Sequence, residues 1–432
     1  MKDVHIAILG FGNVGMGVWE ILMNNGSKVD CILGRKVEIK KILVRDINKK
    51  RSIDVPDGIF TDNIDEIISD DDIDIVVELM GGIQPAFQYI KESLKNGKHV
   101  VTANKAVMAT RGRELLHLAN EAGRELRYEA SVAGGIPIIN TLNKDLAANN
   151  IEEITGIING TTNYILTQMT TRGMSFDEAL KQAQDMGYAE ADPSSDIEGE
   201  DAAFKLSILT SIAFGVQVSP EKIPTHGITN VTEMEIEYAR QLGYTVKLLS
   251  KVKKVDKKLE LYVHPALVPS NHPLAAVSDE FNALFIRGDA VGDLMLYGKG
   301  AGSLPTGSAV LSDIMYIIDD MDENNDRVIK RRKYNGDLEA VGEGKGEYYI
   351  RFQVADEPGV LGMISTTFGK YGISLASVVQ QGHGEKSVPL VFVTHKVERT
   401  NLDAALKAIE NCDFIEDIAC ILKVEKFKRF FK

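Results

Sequence analysis

The first 26 residues limit this fold more than any other stretch. Val4-His5-Ile6-Ala7-Ile8-Leu9 is a run of β-formers with no polar alternation, as in a strand buried on both faces. It runs into Gly10-Phe11-Gly12-Asn13-Val14-Gly15, then a helical segment from Val18 to Met23 that stops at Asn25-Gly26. In a strand–loop–helix unit of this kind, Gly10 permits the tight turn. Gly12 lets the backbone approach a pyrophosphate, and Gly15 allows close packing of helix on strand. The free N–H groups of the helix start then face the phosphates. Gly10, Gly12, Asn13, Val14 and Gly15 are therefore candidate cofactor contacts in a Rossmann-type dinucleotide domain.

The pattern continues as α/β. A second strand, 41–44, ends at Arg45-Asp46, with Lys49, Lys50 and Arg51 close behind. An acidic residue at this strand end would hold a ribose 2′-hydroxyl, whereas an arginine suits a 2′-phosphate. Arg45 comes first, so NADP is the expected cofactor. Asp46 leaves NAD possible, and a solvated basic loop is the plain alternative. A strand at 73–79 ends at Gly81-Gly82, a helix runs from Pro85 to Asn96, and a strand at 98–103 ends at Asn104-Lys105. In open parallel sheets ligands bind beyond the carboxyl ends of strands, which makes Lys105 a candidate for the reacting group.

A second feature lies at Gly187-Tyr188-Ala189-Glu190-Ala191-Asp192-Pro193-Ser194-Ser195-Asp196-Ile197-Glu198-Gly199-Glu200-Asp201, which closes on Lys205. A loop crowded with carboxylates feeds a helix that is apolar on most sides. Asp201 and Lys205 sit one helical turn apart and share a face. On an exposed helix the pair would be worth about 0.3–0.5 kcal/mol. Among Phe204, Leu206, Ile208, Leu209 and Ile212 it is costly as structure, and a partly buried lysine beside a carboxylate is suited to proton transfer. The competing reading is a structural ion pair.

Length and composition narrow the function. The 432 residues suffice for roughly two or three domains. A net charge of −13 disfavours nucleic acid and anionic membranes as partners. Only 426–432 are locally basic, which reads as a solvated terminus. Three cysteines, Cys31, Cys412 and Cys420, lack metal-ligand spacing and point to a reducing compartment, the cytoplasm. No run reaches the apolar length of a membrane span. Segments near 176–187 and 201–215 read as helices, 247–255 and 258–263 as strands, and 308–320 as a helix that returns to the nucleotide domain.

Near 319–346 the chain turns polar and glycine-rich, as in a linker. Beyond it, strands at 348–354, 373–381, 388–395 and 415–424, with helices up to Tyr371 and at 401–410, give a β-α-β-β-α-β order. The first strand enters its helix through Asp356-Glu357-Pro358-Gly359-Val360-Leu361. That junction and order resemble the ACT-type amino-acid-binding domain.

The rest of the chain resembles homoserine dehydrogenase. The resemblance rests on the glycine loop at 10–15, Val100-Val101-Thr102-Ala103-Asn104-Lys105-Ala106 and Tyr128-Glu129-Ala130-Ser131-Val132-Ala133-Gly134-Gly135-Ile136-Pro137. It extends through Asn159-Gly160-Thr161-Thr162-Asn163-Tyr164, the 187–205 segment and Gly300-Ala301-Gly302-Ser303-Leu304-Pro305-Thr306-Gly307. The resemblance implies three functional domains and a linker. A Rossmann domain would occupy 1–136, completed by 301–325, and an α+β substrate and dimerisation domain 137–300. A linker at 326–347 would lead to the ACT-type domain at 348–425.

By the same resemblance, Glu190, Asp196 and Asp201 would bind an amino-acid substrate. Lys205 would act as general acid/base, with Lys105 beside the cofactor and substrate, and Gly187 and Gly302 would contact the nicotinamide nucleotide. A monovalent cation, Na+ or K+, would take the Glu129 carboxylate and the carbonyls of Val132, Gly134 and Ile136. Implied substrates are L-aspartate 4-semialdehyde and L-homoserine, and the implied assembly is a homodimer or homotetramer. Threonine would be the effector, at Asp356, Gly359, Val360 and Leu361; a domain used only for dimer contacts is the alternative there. The chain opens on its nucleotide-binding strand, so no kinase module of the kind fused to some relatives is expected ahead of it. A dehydrogenase for a related amino alcohol, and a non-catalytic dinucleotide and amino-acid sensor, are the competing functions.

Overall fold

The computed structural model describes residues 2–322, 336–380 and 386–427. Part of the expected linker, 326–335, and the end of the basic tail, 428–432, lie outside the described residues.

In chain order the first elements are β1 (Val4–Leu9), α1 (Asn13–Leu33), β2 (Val37–Leu43), β3 (Phe60–Thr61), α2 (Asp65–Ile68), β4 (Ile75–Glu78), α3 (Ala86–Lys95), β5 (His99–Thr102), α4 (Lys105–Glu121) and β6 (Leu126–Arg127). The middle of the chain holds α5 (Ile138–Asn140), β7 (Ile151–Ile157), α6 (Gly160–Arg172), α7 (Phe176–Asp185), α8 (Ser194–Ile197), α9 (Glu200–Phe214), α10 (Glu233–Gln241), β8 (Tyr244–Val255), β9 (Lys258–Pro269), β10 (Phe281–Gly288) and β11 (Gly292–Lys299). The remainder is α11 (Ser303–Asp322), β12 (Glu339–Ala340), β13 (Glu347–Ala355), α12 (Val360–Lys370), β14 (Leu375–Gln380), β15 (Ser387–Thr394), α13 (Arg399–Glu410) and β16 (Ile415–Val424).

The chain forms two compact units. The first comprises 1–152, 204–220 and 282–336. Its parallel sheet has the order β3-β2-β1-β4-β5-β6, the dinucleotide-binding arrangement in which strand order reverses between β1 and β4. The apolar run of β1 is explained by burial: Ile6 and Ile8 are fully covered, by Val18, Trp19 and Leu22 of α1 and by Val310, Ile314 and Ile317 of α11 among others. Each such side chain contributes roughly 1.5–3 kcal/mol. The helix expected at 308–320 forms and starts earlier, at Ser303, whose Oγ donates to the Asn13 carbonyl at 2.6 Å.

The second unit comprises 153–203, 221–281 and 337–432. Its strands run in the order β7-β8-β9-β16-β13-β15-β14. The βαββαβ module expected at the C-terminus is present, closed around Phe352, Phe368 and Phe392. Its sheet does not stop at the module. Strand β16 pairs in parallel with β9, Lys423 opposite Ala266 and Val424 opposite Leu267, and the Glu425 amide continues the ladder to the Leu267 carbonyl at 2.9 Å. The described part of the linker is held on β9 as well. Glu339 and Ala340 pair with Lys258 and Leu259, and the Leu261 amide donates to the Gly342 carbonyl at 3.0 Å. Among the described residues no helix is long and apolar enough to cross a membrane.

Candidate active site

The glycine loop leaves β1 at the reversal point of the first sheet. Gly10 has φ +99, and a Cβ there would come within 2.9 Å of the Leu79 carbonyl beyond β4. A Cβ on Gly15 would meet the Gly10 carbonyl at 2.5 Å, whereas one on Gly12 would meet nothing within 4 Å. The loop is thus closed where helix meets strand and open where a phosphate would approach. Gly12 is the N-cap of α1 and supplies no side-chain cap, so the first-turn N–H groups at Asn13 and Val14 suit an anion.

The cationic cluster beyond β2 is divided. Arg51 folds back to donate to the Asp46 carbonyl at 2.8 Å and lies over the Phe60 ring at 4.3 Å. Arg45 is exposed, as a ligand for a 2′-phosphate must be.

At the ends of β4 and β5 a buried carboxylate organises the turn into α4. Glu78 accepts from the Thr102 hydroxyl at 2.6 Å and the Met80 amide at 2.8 Å. Burial raises its pKa, against those bonds. Asn104, also buried, donates to the Gly82 carbonyl at 2.7 Å and caps α4 by accepting from the Val107 amide at 3.1 Å. Lys105 follows as the first residue of α4, half-buried. Met108 and Gly112 of α4 and Ser207 and Ser211 of α9 line one small open pocket, so α4 and α9 border common space beyond Lys105 and Lys205 in the sequence.

The carboxylate loop of the second unit is built by the start of α6. Buried Asn159 donates through Nδ2 to Asp196 Oδ1 at 2.6 Å and to Asp201 Oδ2 at 2.9 Å. The Thr161 hydroxyl lies 2.7 Å from the Tyr188 carbonyl and 3.2 Å from Asp196 Oδ2. Asp196 and Asp201, five residues apart in sequence, are brought to one amide. Asp201 is 2% exposed and opens α9, with half-buried Lys205 one turn on. Glu190 is exposed, and its carbonyl accepts from Gln184 Nε2 at 3.2 Å. Gly187 has φ +75 and follows α7 in the left-handed region, exposed like Gly302.

Glu129 is buried at 1% exposure and accepts two backbone bonds at the start of α5, from Ile139 and Asn140, each 2.7 Å. Its own amide donates to Asp313 Oδ2 at 2.7 Å. Burial, and then the Asp313 carboxylate, push the Glu129 pKa up to about 7; burial also pushes Asp313 up. The Arg127 charge opposes both shifts in part, and Lys144 that of Asp313; a monovalent cation beside the ionised pair would act in the same sense, so the carboxylates fit one. Val132, Gly134 and Ile136 are buried in the following turn, and the Ile136 carbonyl also accepts from the Ile138 amide at 2.8 Å. Among the described residues no group of three His, Cys, Asp or Glu side chains could hold a metal ion.

In the C-terminal module, Asp356, Gly359 and Leu361 are exposed at the β13–α12 turn, whereas Val360 packs into the core and offers a ligand only its backbone. Sequence reasoning assigned no role to Asn159, Glu78 or Asp313. Asn159 carried a signal, since an asparagine immediately before a helical run is an N-cap.

Residues 137–315 match the family model for homoserine dehydrogenase, 10–129 that for the homoserine dehydrogenase NAD binding domain, and 348–414 the ACT domain. A homoserine dehydrogenase of Bacillus subtilis (strain 168) is 39% identical over 429 residues, 98% of this chain and 99% of the relative. The crystal structure of a homoserine dehydrogenase from Thiobacillus denitrificans matches with a TM-score of 0.92 at 38% identity, over 98% of this chain and 99% of that one. A hyperthermophilic archaeal homoserine dehydrogenase in complex with NADPH covers 74% of this chain and 98% of its own, at 29% identity and a TM-score of 0.64.

Proposed function

The chain belongs to the homoserine dehydrogenase family of NAD(P)-dependent oxidoreductases, and on that premise we propose that it interconverts L-aspartate 4-semialdehyde and L-homoserine with NADPH preferred. This would be a step of threonine and methionine biosynthesis in the cytoplasm, carried out by a homodimer or homotetramer. The observation that carries the reading is the pair Asp196 and Asp201, drawn to one amide, with Lys205 one helical turn beyond Asp201.

The nicotinamide dinucleotide, when bound, supplies or accepts the hydride. The protein's residues do the rest. Glu190, Asp196 and Asp201 give the substrate ammonium an anionic seat. The Lys205 ammonium stabilises the carbonyl oxygen as it becomes an alkoxide and donates its proton there. In reverse, the neutral Lys205 amine takes the hydroxyl proton of homoserine. Lys105, fixed at the head of α4 by the Asn104 cap, adds a second positive charge. Gly187 and Gly302 offer backbone groups to the nucleotide.

The test is NAD(P)H formation from L-homoserine with each cofactor, with and without threonine. Homoserine-dependent reduction is the expected result; none in the presence of Na+ or K+ would overturn the reading. Inhibition by threonine, lost on substitution at Asp356 or Leu361, would assign the ACT domain as effector site.

The same assay reads cofactor preference. Arg45→Glu is expected to raise KM for NADP+ about tenfold, as when a charge-assisted contact of ~1.4 kcal/mol is lost. KM for NAD+ should stay unchanged, and an equal rise for both cofactors would remove Arg45 from 2′-phosphate recognition.

A monovalent cation at Glu129 predicts a pH-dependent salt effect. The group's pKa is about 7 in the folded protein against an ordinary 4.5. Stability is therefore lost as pH rises between those values, because the unfolded chain releases the proton first. A cation that binds the ionised form offsets the loss. NaCl or KCl should raise Tm at pH 8 relative to choline chloride at equal ionic strength, and not at pH 5. Glu129→Gln should abolish the difference, and a cation effect independent of pH would count against the site.

A further inference from the structure

None of the roles assigned above uses Asn159, although its side chain is 4% exposed and fully engaged. Its Oδ1 caps α6, accepting from the Thr162 amide at 2.9 Å and the Thr162 hydroxyl at 2.9 Å. Its Nδ2 has two hydrogens and two carboxylate partners, Asp196 and Asp201. The amide cannot turn over, since that would present hydrogens to the helix amide and oxygen to the carboxylates. One turn along α6, Asn163 donates to the Val277 and Asp279 carbonyls at 3.2 and 2.9 Å and accepts from the buried Lys247 ammonium at 3.1 Å, which anchors the helix itself.

We propose that Asn159 is a positioning residue that fixes the spacing of Asp196 and Asp201, and thereby the anionic seat for the substrate ammonium. Like charges placed this close repel, and a donor shared between them holds both against that repulsion. The N–H pair of one planar amide, oriented by the helix it caps, sets where each carboxylate oxygen sits. This rests on the proposed role of the two aspartates in substrate binding.

Asn159→Asp separates the two functions of the side chain. Aspartate caps a helix as well as asparagine does, so α6 keeps its start, while the donor is replaced by a third carboxylate oxygen. At pH 8, kcat/KM for homoserine should fall about a hundredfold, as expected when two hydrogen bonds to charged groups are lost. KM for NADP+ should not move. At pH 6 a proton shared among three carboxylates restores a donor, and the deficit relative to wild type should shrink. Asn159→Ser keeps a capping oxygen without a donor that reaches, so it should show a similar deficit with no recovery on acidification. Hydrogen-exchange protection of the 187–201 segment should fall in Asn159→Asp at pH 8 and return at pH 6. That arm reads the loop whether or not homoserine is turned over, so wild-type inactivity would sink the proposed reaction and the substrate seat with it, while the exchange measurement would still decide whether Asn159 sets the spacing of the two aspartates. A deficit in Asn159→Asp that is flat with pH, unchanged protection of the loop, or wild-type kinetics in Asn159→Ser would each overturn it. Should Asn159→Asp fail to fold, Asn159→Ser and the exchange measurement decide alone.

Discussion

Lys205→Ala is expected to lower kcat for homoserine oxidation by about 10³–10⁴-fold, the upper part of the range for removal of a positioned general acid or base. The dissociation constant for NADPH should not change, because the glycine loop and α1 that suit the pyrophosphate lie elsewhere in the chain. The effect is large because two contributions vanish together: the charge facing a developing alkoxide and the proton that completes the alcohol. Lys205→Arg keeps the charge but cannot release a proton near neutral pH. It should stay as inactive as the alanine variant in the oxidation direction, and partial recovery would mean that charge alone does the work. Added methylamine should restore part of the activity of Lys205→Ala by entering the space the side chain leaves. Turnover retained by Lys205→Ala would remove this lysine from the chemistry.

The second large effect concerns stability. Lys251 of β8 lies 2.7 Å from Glu425 and 3.1 Å from Glu153, and the Tyr262 hydroxyl also donates to Glu425. Burial would lower the affinity of this amine for its proton, but the two carboxylates outweigh it and keep Lys251 charged. Burial likewise acts to raise Glu425, and Lys251 more than reverses it. Lys251→Met should therefore cost about 3–5 kcal/mol, since it removes the nearest countercharge from buried Glu425. The measurement is the thermal midpoint over a pH series. Glu425, held below its ordinary 4.5, adds stability above that value that is lost as pH falls through its folded value. In Lys251→Met the stranded carboxylate can take a proton instead, so the gap to wild type should narrow in acid. Adding Glu425→Gln to Lys251→Met should recover part of the loss. A gap that does not vary with pH would point to lost packing by the lysine stem and not to charge.

What could be read in the chain, and what could not, follows from contact distance along it. The β1–glycine–α1 unit is local, and Gly10 and Gly15 each meet a constraint within a few residues or at the adjacent strand. Asp201 and Lys205 are four residues apart, so helical periodicity is enough to place them one turn apart on α9. The βαββαβ order of the C-terminal module was legible because every strand carries its own apolar pattern. The capping position of Asn159 is local, but its hold on the two aspartates was not legible, because they lie 37 and 42 residues away. Asp313, which meets the Glu129 amide 184 residues distant, looks in sequence like an ordinary polar residue of a helix. The hairpin of β10 and β11 was passed over, although Gly288-Asp289 and Gly292 mark its turn. Nor could composition show that the polar 336–346 segment is fastened along β9, since backbone pairing of that kind needs no apolar pattern.

Strand β9 has a consequence for how such a chain can change over time. With β8 on one side and β12 and β16 on the other, its ladder is occupied along both edges. Deleting everything after 336 would strip one edge and leave a row of unpaired N–H and C=O groups, the template on which chains stack into aggregates. Truncation there is thus expected to give this chain a product prone to precipitate. Point changes at the rim of the β13–α12 turn leave the seam intact, so that surface is free to vary without exposing the edge of β9.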